Sequence, residues 1–105
     1  MSDTHTIALI QVSKHDSTRF YTDYPNIEQC LEGILRMYET KLKEAHPGAK
    51  GVTYDYVSLC LYIDDLKEMT VLSWDRTIQG YRRYDRLFVK SGLHDLCANA
   101  VARRR

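Results

Sequence analysis

A chain of 105 residues allows one small domain, and its 44% hydrophobic content supports a single core and excludes wholesale disorder. Fifteen basic residues against 14 acidic ones leave a formal charge of +1, so no global field favours nucleic acid or an acidic membrane. No stretch approaches membrane-spanning length, and the N-terminus lacks the long apolar segment of a secretion signal.

The elements follow from the spacing of apolar residues. Residues 6–12 (TIALIQV) are short, aliphatic and β-branched, and the polar turn 13–18 follows, which predicts a first strand. Residues 19–23 predict a second strand, paired with the first as an antiparallel hairpin. Asn26 with Gln29 three residues on forms a capping box, and Pro25 stops the helix from starting earlier. That helix carries Ile27, Leu31, Ile34, Leu35, Tyr38 and Leu42 on one face and ends near His46, because Pro47-Gly48 cannot extend it.

A second helix lies within 53–66 (TYDYVSLCLYIDDL). Thr53 is placed to accept from a first-turn amide, and Asp55 suits the positive end of the helix dipole. Its apolar stripe is Tyr56, Leu59, Cys60, Ile63 and Leu66. Residues 69–74 and 78–84 predict a third and a fourth strand joined through Asp75-Arg76-Thr77. Asp85 caps a last helix with Val89, Leu93, Leu96, Cys97 and Ala100 in register, weakened at Gly92 by about 1 kcal/mol relative to alanine. Residues 98–105, ending in three arginines, read as a flexible basic tail of one 1–105 domain.

Strand-strand-helix-helix-strand-strand-helix describes a two-layer α+β domain, a four-stranded antiparallel sheet with three amphipathic helices on one face. Side chains alternate across a strand, yet the first and third predicted strands are apolar on both sides. Ile7 and Leu9 oppose Ala8, Ile10 and Val12, and Met69 and Val71 oppose Leu72 and Trp74. Helices of the same chain cover only one face, so the other calls for a second copy packed sheet against sheet. The side chains expected at that homodimer interface are Ile10, Val12, Leu72 and Trp74.

Several motifs in fixed order carry a resemblance. They are Arg19–Tyr24 (R-x-Y-x-D-Y), Cys30-Leu31-Glu32-Gly33, Met37-Tyr38-Glu39, Thr53-Tyr54-Asp55, Ile63-Asp64-Asp65-Leu66, and Tyr81–Tyr84 (Y-x-x-Y). Together they resemble the enhancer of rudimentary homologue family from about Thr6 to Leu96. Arg83, Phe88 and Gly92 depart from the family pattern, as those of a divergent paralogue would. The resemblance implies the same sheet-and-helices fold, a homodimer through the open sheet faces, and no catalytic activity. It also implies an adaptor for RNA-processing, small-RNA and mRNA-decay proteins with links to cell-cycle control.

Chemistry is sparse. His5, His15, His46 and His94 lack metal-type spacing, and neither a phosphate loop nor a nucleophile elbow is present. Asp64 and Asp65 diverge by about 100° on a helix, which suits a surface acid patch better than a carboxylate dyad. Cys30, Cys60 and Cys97 are odd in number and widely spaced, the pattern of packed thiols in a reducing, intracellular setting, and the family resemblance implies nucleus and cytoplasm. No cofactor or metal is expected. Eight tyrosines suit a binding module. The partner-peptide groove is expected around Tyr21, Tyr24, Glu32, Arg36 and Glu39. The alternative function is direct single-stranded RNA binding through Arg82, Arg83 and the C-terminal arginines, with the neighbouring tyrosines stacking on bases.

Overall fold

In the computed structural model, residues 5–48 and 54–103 are described. The elements are β1 (Thr6–Gln11), β2 (Arg19–Tyr24), α1 (Ile27–Ala45), α2 (Tyr56–Asp65), β3 (Glu68–Asp75), β4 (Gly80–Tyr84) and α3 (Arg86–Arg103). A single 3-10 turn at Asp16–Thr18 interrupts the link between β1 and β2. The four strands form one antiparallel sheet in the spatial order β2-β1-β3-β4. The two hairpins therefore meet along β1 and β3, where Ala8 pairs with Val71 and Ile10 with Met69.

Local chemistry sets the helix starts. Asn26 Oδ1 accepts from the Gln29 amide at 2.9 Å and opens α1. Asp55 Oδ1 accepts from the Ser58 amide at 2.8 Å and opens α2, whereas Thr53, the acceptor expected from sequence, lies outside the described residues. Asp85 Oδ1 accepts from the Phe88 amide at 3.1 Å. At the other end of α2, the Arg86 guanidinium donates to the carbonyls of Ile63 and Asp64, helix-end acceptors that have no partner within the helix, and to that of Lys67 in the link to β3.

α1 packs on β1 and β2, α3 packs on β3 and β4, and α2 lies against α3. The core is built from Ala8, Ile10, Met69 and Val71 of the sheet with Cys30, Leu31, Ile34 and Tyr38 of α1, Leu59 and Ile63 of α2, Leu66, and Val89 and Leu93 of α3. Burial of these side chains contributes about 1.5–3 kcal/mol for each large one. The buried hydroxyls of Thr6 and Ser73 hydrogen-bond to each other at 2.9 Å across β1 and β3, so neither is left unsatisfied.

Two boundaries differ by more than one residue from the sequence reading. The fourth strand begins at Gly80 instead of Ile78, because residues 76–79 form the connecting turn and Gln79 sits at φ 51°, a left-handed conformation a strand does not use. The last helix continues to Arg103, so residues 98–103 are helical backbone where a tail was expected. Alternating alanines at 98, 100 and 102 favour that continuation.

Candidate functional site

The sheet face turned away from the helices is a continuous apolar band. Register places Tyr21, Leu9 and Thr70 in one cross-strand row and Asp23, Ile7, Leu72 and Arg83 in the next. The third row joins His5, Trp74 and Tyr81 through the Trp74 amide, which donates to the His5 carbonyl at 2.8 Å, and the Trp74–Tyr81 pair. Tyr21 is 68% exposed and Leu9 38%, while Ile7, Leu72 and Trp74 are half-buried. Trp74 and Tyr81 meet edge to face with ring centroids 5.3 Å apart.

Polar groups close both ends of the band. At one end the His5 ring lies between β2 and β4. Its Nδ1 is 2.6 Å from the Tyr81 hydroxyl and its Nε2 is 3.3 Å from Asp23 Oδ1. At the other end Gln11 is almost fully enclosed. Its Oε1 accepts from Arg19 at 3.0 and 3.2 Å, and its Nε2 donates to the Ser13 carbonyl at 2.8 Å.

Ile10 does not belong to this band. It is 2% exposed beneath the helices, which corrects its place among the expected interface residues. β1 is apolar on both sides, so alternation alone did not rank its faces. Register decides it, because Ile7 and not Ile10 lies beside Leu72. Val12 falls beyond the end of β1 and is exposed there. Leu72 and Trp74 lie on the uncovered face, together with Ile7, Leu9, Tyr21 and Tyr81, which the sequence set had not included.

The expected partner groove is divided. Tyr21 lies on the uncovered face, whereas the Tyr24 ring packs on α1 at Gly33. Glu32 and Arg36 form an exposed i,i+4 ion pair at 4.0 Å on α1, and Glu39 accepts from the Tyr54 hydroxyl at 3.0 Å. That bond and burial raise the Tyr54 pKa, desolvation being the larger cause.

The sequence profile of the family described as Enhancer of rudimentary matches residues 2–103. The Arabidopsis thaliana protein named "Enhancer of rudimentary homolog" is 40% identical over 89 residues, covering 85% of this chain and 82% of that relative. The Caenorhabditis elegans protein of the same name is 38% identical over 98 residues, covering 93% of this chain and 95% of the relative. The Drosophila virilis "Protein enhancer of rudimentary" is 32% identical over 98 residues, covering 93% and 94%. The chain belongs to the enhancer of rudimentary family.

The enhancer of rudimentary motifs that drew attention in the sequence have structural duties here. Within Ile63-Asp64-Asp65-Leu66, Ile63 and Leu66 enter the core, and Asp64 receives the Lys90 ammonium at 2.9 and 3.1 Å, tying α2 to α3. In Tyr81–Tyr84, Tyr84 stacks at a tilt on Phe88 with centroids 4.2 Å apart. Arg82 bonds Asp75 across the β3–β4 hairpin, which lowers the Asp75 pKa, so its guanidinium is engaged. Arg83 stands exposed beside Leu72 on the uncovered face. Cys30 is fully enclosed, and burial pushes its thiol up to about 11. Among the described residues no cluster of three or more His, Cys, Asp and Glu is arranged to hold a metal ion.

Proposed function

We propose that this enhancer of rudimentary protein is a non-enzymatic homodimeric adaptor. The observation that carries the reading is the uncovered sheet band from Tyr21 and Leu9 through Ile7 and Leu72 to Trp74 and Tyr81. A band of this kind, crossing all four strands and rimmed by His5–Asp23 at one end and Gln11–Arg19 at the other, has the anatomy of an interface: apolar centre, polar rim, aromatic anchors. A second copy satisfies it by two-fold symmetry, because the same patch serves both protomers.

A dimer of this form carries two copies of every remaining surface, and so joins two copies of a bound partner. The partners we propose are short segments of RNA-processing or small-RNA-pathway proteins in the nucleus and cytoplasm, with a role in cell-cycle control. Exposed Glu32 and Arg36 on α1 are the groove residues best placed to meet such a segment. Direct RNA binding is the second reading, favoured by Arg83 and Tyr81 lying exposed near one another on β4. The engagement of Arg82 by Asp75 and a net charge of only +1 weigh against it.

Light scattering on the full chain at micromolar concentration tests the first step, and a dimer mass is expected; a monomer mass overturns the adaptor reading. Titration with short single-stranded RNA across salt concentrations tests the second. Tight, salt-dependent binding would replace the adaptor with an RNA-binding domain.

A further inference from the structure

Register puts four charged side chains on the uncovered sheet face, all exposed: Arg19 and Asp23 on β2, Glu68 on β3 and Arg83 on β4. Asp23 and Arg83 end the same cross-strand row, Asp23-Ile7-Leu72-Arg83, at opposite edges of the sheet. Three strand spacings, about 14 Å, keep them apart within one chain. Arg83 makes no hydrogen bond or ion pair among the described residues. Asp23 Oδ1 lies 3.3 Å from His5 Nε2, and the aspartate side chain is still 59% exposed.

We propose that this face recognises a second copy of the chain by pairing Asp23 with the partner's Arg83, which sets the two-fold axis parallel to the strands. The pairing rests on the sheet-to-sheet homodimer and specifies how its two copies are oriented. Two identical sheets packed face to face are related by a two-fold axis lying between them. An axis along the strands, midway between β1 and β3, lays β2 over the partner's β4 and leaves each row over itself. Asp23 then faces the partner's Arg83 and Arg83 faces the partner's Asp23, two opposite-charge contacts from one row. β3 lies over the partner's β1, so Glu68 meets Gln11 of the partner subunit, and in each chain the Gln11 amide oxygen holds the Arg19 guanidinium.

An axis across the strands lays β2 on β2 and β4 on β4, and through this row it sets Asp23 against Asp23 and Arg83 against Arg83. Orthogonal strands keep the two residues from meeting at all. Ile7 and Leu72 meet apolar neighbours either way, so the charges choose: juxtaposed like charges are disfavoured at an interface, and opposite ones fix its register. The reach is adequate. Facing sheets lie about 10 Å apart, and an angle of about 30° between them displaces the two residues by about 4 Å along the strand, a span that aspartate and arginine side chains cover together. Two cations and two anions also leave the face without the single sign that would attract a phosphate backbone or an anionic lipid surface.

Sedimentation equilibrium of the full chain over a dilution series reads the dimer dissociation constant. Asp23→Asn and Arg83→Gln are each expected to raise it about tenfold or more, since each removes two symmetry-related pairs. Asp23→Arg and Arg83→Asp raise it further, and the double reversal Asp23→Arg/Arg83→Asp returns it to within about threefold of the parent. Arg83→Gln is the cleaner arm, because Asp23 also meets His5 within its own chain. Neutral variants that dimerise as tightly as the parent, or more tightly, overturn the pairing, and so does a double reversal no better than the single ones. A parent that is a monomer, or a Leu72→Arg protein that remains a dimer, defeats the sheet-face reading and the pairing with it. A dimer that Leu72→Arg breaks and Arg83→Gln leaves intact defeats the pairing alone.

Discussion

Tyr24 of β2 lies where a side chain at Gly33 of α1 would have to be: a Cβ built on Gly33 falls 2.6 Å from Tyr24 Cε1 and 2.7 Å from Cζ. Gly33 therefore lets α1 lie close over the edge strand, and the ring fills the space a methyl group would take. Gly33→Ala gains about 0.5–1 kcal/mol of helix propensity but forces the ring out, an overpacking cost of about 1–3 kcal/mol. Net destabilisation is expected in denaturant melts. In a Tyr24→Ala background the same substitution should stabilise, because only the propensity gain remains. A Gly33→Ala change with the same sign and size in both backgrounds would show that the two residues are not coupled.

Gly92 of α3 stands in the same relation to Leu31 of α1, with a built Cβ 2.5 Å from Leu31 Cδ1. From the sequence this glycine is only a weak point in a helix. Here it is the place where α1 and α3 approach. Leu31 is enclosed in the core and has little room to turn aside, so Gly92→Ala is expected to lower stability by about 1 kcal/mol instead of raising it by that amount. Urea denaturation of the single variant reads the sign directly.

These two glycines mark what the sequence left unread. The helix caps at Asn26 and Asp85, the apolar stripe of α1 and the pairing of β3 with β4 were all legible, because each depends on residues close in the chain. The face of β1 was not. Ile10 and Leu9 are equally apolar, and only the lateral order β2-β1-β3-β4 with its register sends one under the helices and the other to the open side. The pairing of His5 with Asp23 and Tyr81 likewise joins three elements and leaves no spacing signal.

The two faces of β1 and β3 predict opposite outcomes for the same kind of substitution. Leu72→Arg places a charge on the uncovered band and is expected to yield a folded monomer, read as a halved mass in light scattering. Ile10→Arg buries an unpaired charge in the core. That costs several kcal/mol against a total margin of about 5–15 kcal/mol, so loss of cooperative unfolding is expected. A Leu72→Arg protein that is still a dimer by mass would exclude the sheet face as the interface of the proposed homodimer.

The three thiols should separate by alkylation rate. Burial moves Cys30 from 9.0 to about 11, roughly a 100-fold loss of thiolate at a given pH, and the side chain is also fully enclosed. Cys60 and Cys97 are only partly buried. Iodoacetamide treatment of the native protein followed by peptide mass spectrometry is expected to label Cys30 last, at a rate set by unfolding. Labelling of Cys30 alongside the other two would mean that the α1–sheet contact opens readily.

Acid sensitivity follows from two carboxylates. Hydrogen bonds from Ser58 hold the Asp55 carboxyl below 3.8, and the Arg82 guanidinium with the Thr77 amide does the same for Asp75. Both folded values lie below the unfolded one, so across that window the unfolded chain binds more protons and stability rises with pH. The contribution is complete above the unfolded value and is lost as pH falls through the folded values. Asp55→Asn keeps a competent cap but removes the titration. Its stability near neutral pH should change little, while the acid limb of its melting-temperature profile becomes shallower than the parent's. An unchanged acid limb in Asp55→Asn would assign the whole effect to Asp75 and other groups, and Asp75→Asn then provides the complementary measurement.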